Sequence, residues 1–217
     1  MNRRYDAVLF DLLTALLDSW SLWNAVAGSE QAGRRWRTAY LALTYRTSRY
    51  QPYEELVATA AESVGLGSHL ADELSARYGE IEPWPEVASV LGALHKAGMP
   101  LGVVTNCSET LGHLAASRIP VPFSVIVTAE RAGCYKPEPQ PYRLALDELG
   151  VVAERCLFVA GSAYDLLGTA SVGLPTWWHD RIGMTAPPDA PAPIAHHPTL
   201  APLLVHALSR SRTDAHE

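Results

Sequence analysis

The feature that most constrains this chain is a recurrence of short apolar runs, each ending on a polar residue and separated from the next by a segment of helical period. The runs are Tyr5 to Phe10, interrupted only by Asp6, then Leu101 to Val104, Ser124 to Val127 and Arg155 to Val159. Apolar runs without polar alternation suit strands covered on both faces, as in a parallel sheet. Val87 to Ala97, Glu109 to Ser117, Pro139 to Leu149 and Asp165 to Ser171 carry apolar residues at helical spacing. Repeated strand-helix alternation predicts an α/β fold with a mostly parallel, doubly wound sheet, to which Pro175 to Trp178 adds a short strand.

The first crossover is unusually long. From Ala15 to about Pro83 the pattern is helical throughout, with Trp36, Tyr40, Leu43 and Leu56, Ala60, Val64 on helical spacing. Gly65, Gly67 and Ser68 interrupt it, and Pro83 and Pro85 close it. These helices read as an insertion after the first strand. The segment 185–202 (TAPPDAPAPIAHHPTLAP) reads as irregular, because its prolines exclude helix and ladder alike. A short helix is expected at Leu200 to Leu208, and the tail SRSRTDAHE is expected to fray.

Composition narrows the classes. With 48% apolar and 18% charged residues, a chain of 217 can bury a sizeable core, which excludes disorder, collagen and coiled coil. Seventeen Lys+Arg against 23 Asp+Glu leave no basic face for a row of phosphates, so nucleic acid is not an expected partner. No apolar run approaches ~18 residues, and the N-terminus lacks a small-residue cleavage site, so no membrane segment or processing is expected. Cys107, Cys134 and Cys156 are too few for a disulfide framework or a four-cysteine zinc site. A cytoplasmic protein fits these features.

In an open α/β sheet, ligands bind beyond the carboxyl ends of the strands. The residues there are Asp11 after the first strand, Thr105 and Asn106 after the second, Lys136 in the loop after the third, and Ser162 and Asp165 after the fourth. Singly, each has an ordinary reading: Asp11 and Asp165 as helix N-caps, Thr105 and Asn106 as turn residues, Lys136 as a solvated loop lysine. Converging on one rim, they suit nucleophilic catalysis by Asp11.

The stretches VLFDLLTALLDS, VVTNCS, CYKPEPQPY and FVAGSAYDLLGTASVGL follow the order and spacing of the four motifs of the haloacid dehalogenase superfamily, which the chain resembles over nearly its whole length. The resemblance implies a Rossmann-like core of residues 1–14 and 88–217 and an all-helical cap of residues 15–87. Phosphatases of this superfamily carry Asp-x-Asp in the first motif, and here the second position is Leu13. Leu13 can neither protonate a leaving oxygen nor favour magnesium, so no metal and no cofactor are expected. The chain is more similar to the L-2-haloacid dehalogenase branch, where an aspartate attacks the carbon next to a carboxylate and water cleaves the ester.

On that resemblance the substrate arginine of the segment RRWRTAYLALTYRTSRYQPYEEL falls on Arg37, the second-motif pair on Thr105 and Asn106, and further contacts on Lys136, Tyr142, Tyr164 and Asp165. Thr14 and Ala15 stand where the branch has Gly-Thr, and Ala160 and Ser162 where it has the Ser and Asn that hold the hydrolytic water. Thr14 restores a hydroxyl one position early. Trp20, Trp23, Tyr45 and Trp178 are candidate walls of a dry pocket, with core packing as the ordinary alternative. Cys107 reads as a small buried hydrophobe, and His179, His196 and His197 as surface or hydrogen-bonded histidines.

The expected function is displacement of a leaving group from the carbon α to the carboxylate of a small acid. The leaving group is either halide or, by similarity of FDLLTALLDSW to azetidine-2-carboxylate hydrolases, a strained ring nitrogen. A magnesium-dependent phosphatase with a degenerate first motif and a catalytically weak binding protein are the alternatives. Relatives pair through the apolar cap, which implies a homodimer.

Overall fold

The computed structural model describes residues 3–209; residues 210–217, most of the tail expected to fray, lie outside this range. Six strands form one sheet: β1 Ala7–Phe10, β2 Leu101–Thr105, β3 Val125–Thr128, β4 Cys156–Ala160, β5 Thr176–His179 and β6 Ala195–His197. Their spatial order is β3-β2-β1-β4-β5-β6, and every neighbouring pair is parallel. The chain leaves β1 for β2 on one side and later reaches β4 on the other, so the topological switch falls at the carboxyl end of β1. Phe10 is registered with Val103 and Val159, and Asp11 follows it.

Both faces of β1 are covered, as its unbroken apolar run requires. Ala7 and Leu9 join Tyr142, Ala145 and Leu146 of helix α8 (Pro139–Leu149). Val8 and Phe10 join Leu91 and Leu94 of α5 (Val87–Lys96) in a cluster that continues without a break into the inserted helices. The other core helices are α6 Glu109–Ala116, α7 Ala129–Ala132, α9 Asp165–Ser171 and α10 Leu203–Ala207.

Between β1 and α5 lie α1 Ser19–Val26, α2 Glu30–Thr44, α3 Tyr53–Ser63, α4 Leu70–Ala76 and a single 3-10 turn at Tyr78–Glu80. Asp18 caps α1 through Ser21 N (3.1 Å), and Ser29 caps α2 through Ala32 N (3.2 Å). Gly33 lies so close to Asn24 that an added Cβ would stand 2.4 Å from its Cα, which lets α1 and α2 pack backbone to backbone. The buried face of α2 reads Gly33, Trp36, Arg37, Tyr40, Thr44, a helical stripe containing one cation. The outgoing and returning linkers pair: Asp18 N donates to Glu82 O (2.8 Å) and Trp84 N to Leu16 O (3.0 Å), around an antiparallel bridge between Leu17 and Pro83. The insertion therefore leaves and returns at one point.

The expectation for 185–202 needs correction. Its prolines flank Ala195–His197 without interrupting it, so β6 forms with Ile194 N donating to Thr176 O (2.8 Å). His196 stacks flat on Trp178 (4.1 Å) and His197 on Trp177 (5.1 Å). The one-turn helix α7 had no counterpart among the sequence-based elements; Thr128 caps it through Arg131 N (3.1 Å). Among the described residues no helix is long and apolar enough to cross a membrane.

Two glycines make opposite predictions. A Cβ at Gly161 would stand 2.1 Å from Ala15 N, so Gly161→Ala is expected to lower stability by about 1–3 kcal/mol. Gly92, inside α5 with nothing within 4 Å, is expected to gain up to about 1 kcal/mol on substitution by Ala. Urea midpoints decide both; a neutral Gly161→Ala contradicts the close approach of the two backbone segments.

Candidate active site

Immediately after β1 the chain folds into a tight turn in which Leu16 N and Leu17 N both donate to Leu12 O (3.2 and 3.1 Å). Asp11 sits at the head of this turn. Its Oδ2 accepts from Thr14 N (2.9 Å), Ala15 N (3.2 Å) and the Thr14 hydroxyl. Its Oδ1 accepts from Lys136 Nζ (2.8 Å). The capping role weighed for Asp11 and its place in a charged cluster are thus compatible, because they use different oxygens. Burial opposes ionisation of Asp11, but Lys136 and the Thr14 donors outweigh it and hold the carboxyl below its usual range.

Lys136 Nζ also pairs with Asp165 Oδ1 (2.9 Å). Burial opposes its charge, yet the two carboxylates together raise its pKa. The Lys136 backbone is clamped by Asn106, whose Nδ2 donates to Lys136 O (3.0 Å) and whose Oδ1 accepts from Lys136 N (2.7 Å). Asp165 Oδ1 further accepts from the Tyr142 hydroxyl (2.8 Å), while Oδ2 is buried and has no partner among the described residues. Burial, aided by the charge of Asp11, pushes the Asp165 carboxyl up to about 6 despite Lys136.

Arg37 descends from α2 onto this rim. It is only 2% exposed, in contrast to a solvated basic face, and its guanidinium lies against the indoles of Trp20 (4.8 Å) and Trp23 (5.1 Å). Its Nε and Nη1 are buried without a hydrogen-bond partner, and no carboxylate pairs with it among the described residues. Neighbouring Arg34 differs: it pairs with Glu30 at the surface (3.0 Å).

A cavity of about 40 Å³ lies between these groups. Asp11, Thr14, Arg37, Asn106, Lys136, Ser162, Tyr164 and Asp165 line it, together with Leu13. Two expected residues do not. Tyr142 is fully buried behind Asp165, held there by Gly168, where a Cβ would meet its ring at 2.6 Å; it is placed to support Asp165 and not to touch a ligand. Thr105 ends β2 with its hydroxyl buried and unpaired, outside the cavity lining.

Tyr40, Leu41 and Thr44 also line the cavity and were missed. Their spacing of three, four and seven residues from Arg37 on one helix was the available signal. The aromatic wall needs correction as well. Trp20 and Trp23 flank Arg37 without lining the cavity, Tyr45 backs Tyr164 (5.1 Å), and Trp178 lies two strands from β1 beneath His196. His179 is buried and hydrogen-bonded to Ala15 O (2.8 Å), and burial pushes the Cys107 thiol up to about 12. Among the described residues no three histidine, cysteine or carboxylate side chains gather as a metal-holding group.

Comparison with known proteins matches this arrangement. The haloacid dehalogenase-like hydrolase family model aligns with residues 5–173. The chain is 28% identical over 195 residues to (S)-2-haloacid dehalogenase of Pseudomonas putida, spanning 82% of this chain and 86% of that protein. It is 32% identical over 151 residues to phosphoglycolate phosphatase of Salmonella typhi, spanning 65% of this chain and 57% of the phosphatase. Among solved structures, the L-2-haloacid dehalogenase RSc1362 superposes with a TM-score of 0.83 at 25% identity, covering 94% of this chain and 99% of that one. A match from the start of β1 through the end of α9, over a parallel sheet with Asp11 at its switch point, makes this chain a member of the haloacid dehalogenase-like hydrolases.

Proposed function

We propose that the protein is a metal-independent 2-haloacid dehalogenase that uses Asp11 as nucleophile, with residues 15–87 as a cap over a core of 1–14 and 88–217. The observation that carries this reading is the charge arrangement. Asp11 and Asp165 share Lys136, while Arg37 is a buried cation with two unpaired donors and no carboxylate of its own. Such a cation suits an anion formed in the reaction, because a desolvated guanidinium stabilises developing negative charge strongly.

Asp11 Oδ2 is engaged by three donors, so Oδ1, held by Lys136 alone, is the better nucleophile. It attacks the carbon bearing the halogen. The carbon–halogen bond breaks, and halide leaves toward Arg37. The product is an ester through Oδ1, in which Oδ2 has become the carbonyl oxygen. Water then adds to Asp11 Cγ, giving up a proton to the unpaired Oδ2 of Asp165. The negative charge that forms on Asp11 Oδ2 meets Thr14 N, Ala15 N and the Thr14 hydroxyl. Collapse breaks the bond from Cγ to Oδ1, Asp165 returns its proton to the departing alkoxide oxygen, and a 2-hydroxy acid is released. Asp11 is restored with an oxygen from water, and the solution gains halide and one proton. The small cavity favours acids of two or three carbons.

Ring opening is the second reading, favoured by the first-motif stretch FDLLTALLDSW. Arg37 would then hold the carboxylate, since a departing amine needs no cation. Against a phosphatase stands Leu13, which lines the cavity where that chemistry needs a general acid, a contribution of about 10²–10⁴ in rate. Against a binding protein stands the intact Asp11–Lys136–Asp165 cluster.

Turnover in EDTA on L-2-chloropropionate and L-azetidine-2-carboxylate, with Asp11→Asn as the blank, tests the reading. Chloride release without added metal is expected. Ring-opened amino acid alone would replace dehalogenation by the second reading, and phosphate release that requires magnesium would overturn both. Arg37→Lys keeps the charge but loses the planar fork, and kcat for chloride release is expected to fall about 100-fold.

The pH profile follows from Asp165. It must be ionised to accept the proton of water, and its carboxyl titrates at about 6. The ester no longer carries the Asp11 charge that helps raise this carboxyl, so kcat is expected to be level above about pH 7 and to fall tenfold per unit only below an apparent pKa under about 6. Asp165→Asn should leave an ester on Asp11 that mass spectrometry of the Asp11 peptide detects; an unmodified peptide after incubation with substrate would remove Asp165 from the hydrolytic step.

A further inference from the structure

The two amides that face Asp11 Oδ2 are gripped from behind. The Thr14 N–H belongs to the peptide unit whose carbonyl is Leu13 O, and that oxygen accepts from the Ser19 hydroxyl. The Ala15 N–H belongs to the unit whose carbonyl is Thr14 O, and that oxygen accepts from Trp84 Nε1 (3.1 Å). A hydrogen bond to a peptide carbonyl polarises the same unit and strengthens the bond its N–H donates, the more so in a buried setting. We infer that Ser19 and Trp84 are positioning residues that polarise the oxyanion site of Asp11, one for each amide.

Three further observations bear on this. Ser19 is completely buried at the first position of α1, so its hydroxyl has no solvent alternative. The turn cannot relax away from its donors on the opposite side, because the Gly161 backbone presses against the Thr14–Ala15 unit at a distance that leaves no room for a Cβ. His179 supplies a contrast: it donates to Ala15 O, but the N–H of that unit, on Leu16, turns back to Leu12 O and never faces Asp11.

Ser19 and Trp84 also share an origin. Ser19 follows the linker that leads out to the inserted helices, and Trp84 sits on the linker that returns, paired with it through Trp84 N and Leu16 O (3.0 Å). The polarising donors thus come from the two strands that join the helical insertion to the sheet. Docking of that insertion and the strength of the oxyanion site are set by the same short stretch of chain.

The inference rests on the proposed ester chemistry for its catalytic consequence, but the polarisation itself can be read without substrate. In ¹⁵N-labelled protein, Ser19→Ala is expected to move the Thr14 amide proton upfield and leave Ala15 nearly unchanged, with Ser19→Cys, a weaker donor, in between. Trp84→Phe keeps a ring in place and should move Ala15. With 2-chloropropionate, rapid-quench mass spectrometry should show ester decay slowed about threefold to tenfold in each variant. kcat/KM should stay level, because it reports the earlier alkylation step, and ester should accumulate on Asp11. A purely structural role would lower kcat/KM as well and leave no ester excess. A Thr14 amide unmoved in the Ser19 variants, or an Ala15 amide unmoved in Trp84→Phe, would overturn the inference. A wild type that forms no ester with any haloacid would instead overturn the proposed function, and the amide shifts would then judge the polarisation alone.

Discussion

Lys136 is the interaction on which the rest of the site depends. Its ammonium is buried and bonded to Asp11 at the end of β1 and to Asp165 at the start of α9. Removing Lys136 would leave two uncompensated buried carboxylates, a loss of about 3–5 kcal/mol, whereas removing either carboxylate leaves a compensated ion pair. The cluster therefore ties together three segments that are remote in sequence. The Asn106 clamp adds a fourth, since it holds the Lys136 backbone from both sides and so fixes where the ammonium can reach. Tyr142 and Gly168 complete the support by holding Asp165 in place. The arrangement shifts its two carboxyls in opposite directions: Asp11 has more donors than burial can offset, whereas Asp165 has fewer. On the proposed mechanism, that difference divides the labour between a nucleophile ionised at neutral pH and a base that titrates near it.

The inserted helices contribute in a different way. They bring a second cation to a rim that otherwise holds two carboxylates and one ammonium, and they pack it between indoles with no carboxylate within ion-pair distance among the described residues. The apolar cluster that holds α2 runs without a break into the face of the sheet that carries Phe10, so Arg37 is as firmly seated as the core itself. Tyr40, one turn further along α2, donates to Asn106 O (2.9 Å) and ties that helix to the loop that holds Lys136. The position of the cation relative to the nucleophile is thereby set by packing and by the Tyr40 bond.

Much of this was legible beforehand. Unbroken apolar strands announced a sheet covered on both faces, and the strand-end rule picked out Asp11, Asn106, Lys136, Ser162 and Asp165, which line the cavity, together with Thr105, which does not. What failed did so for identifiable reasons. Proline density hid β6, because the prolines surround the three residues that pair without occupying them. Residue type left the aromatics open between pocket wall and core packing, and only the fold shows that Trp178 packs two strands away while Trp20 and Trp23 flank Arg37. Tyr142 lies outside the cavity lining, with its hydroxyl donating to Asp165.

The sequence alone determined the alternation of the first five strands with their crossover helices, the place of the insertion and the chemical kinds of residue at the switch point, because periodicity and strand ends are local properties of the chain. Only the tertiary structure decided which oxygen of Asp11 takes three donors and which takes Lys136 alone, that Arg37 is buried and unpaired, and that Ser19 and Trp84 reach the carbonyls behind the Asp11 turn. Those features depend on backbone acceptors and on burial. A backbone carbonyl is present at every position of every sequence, so the chain itself carries no mark of which ones will be chosen until packing brings the donors to them.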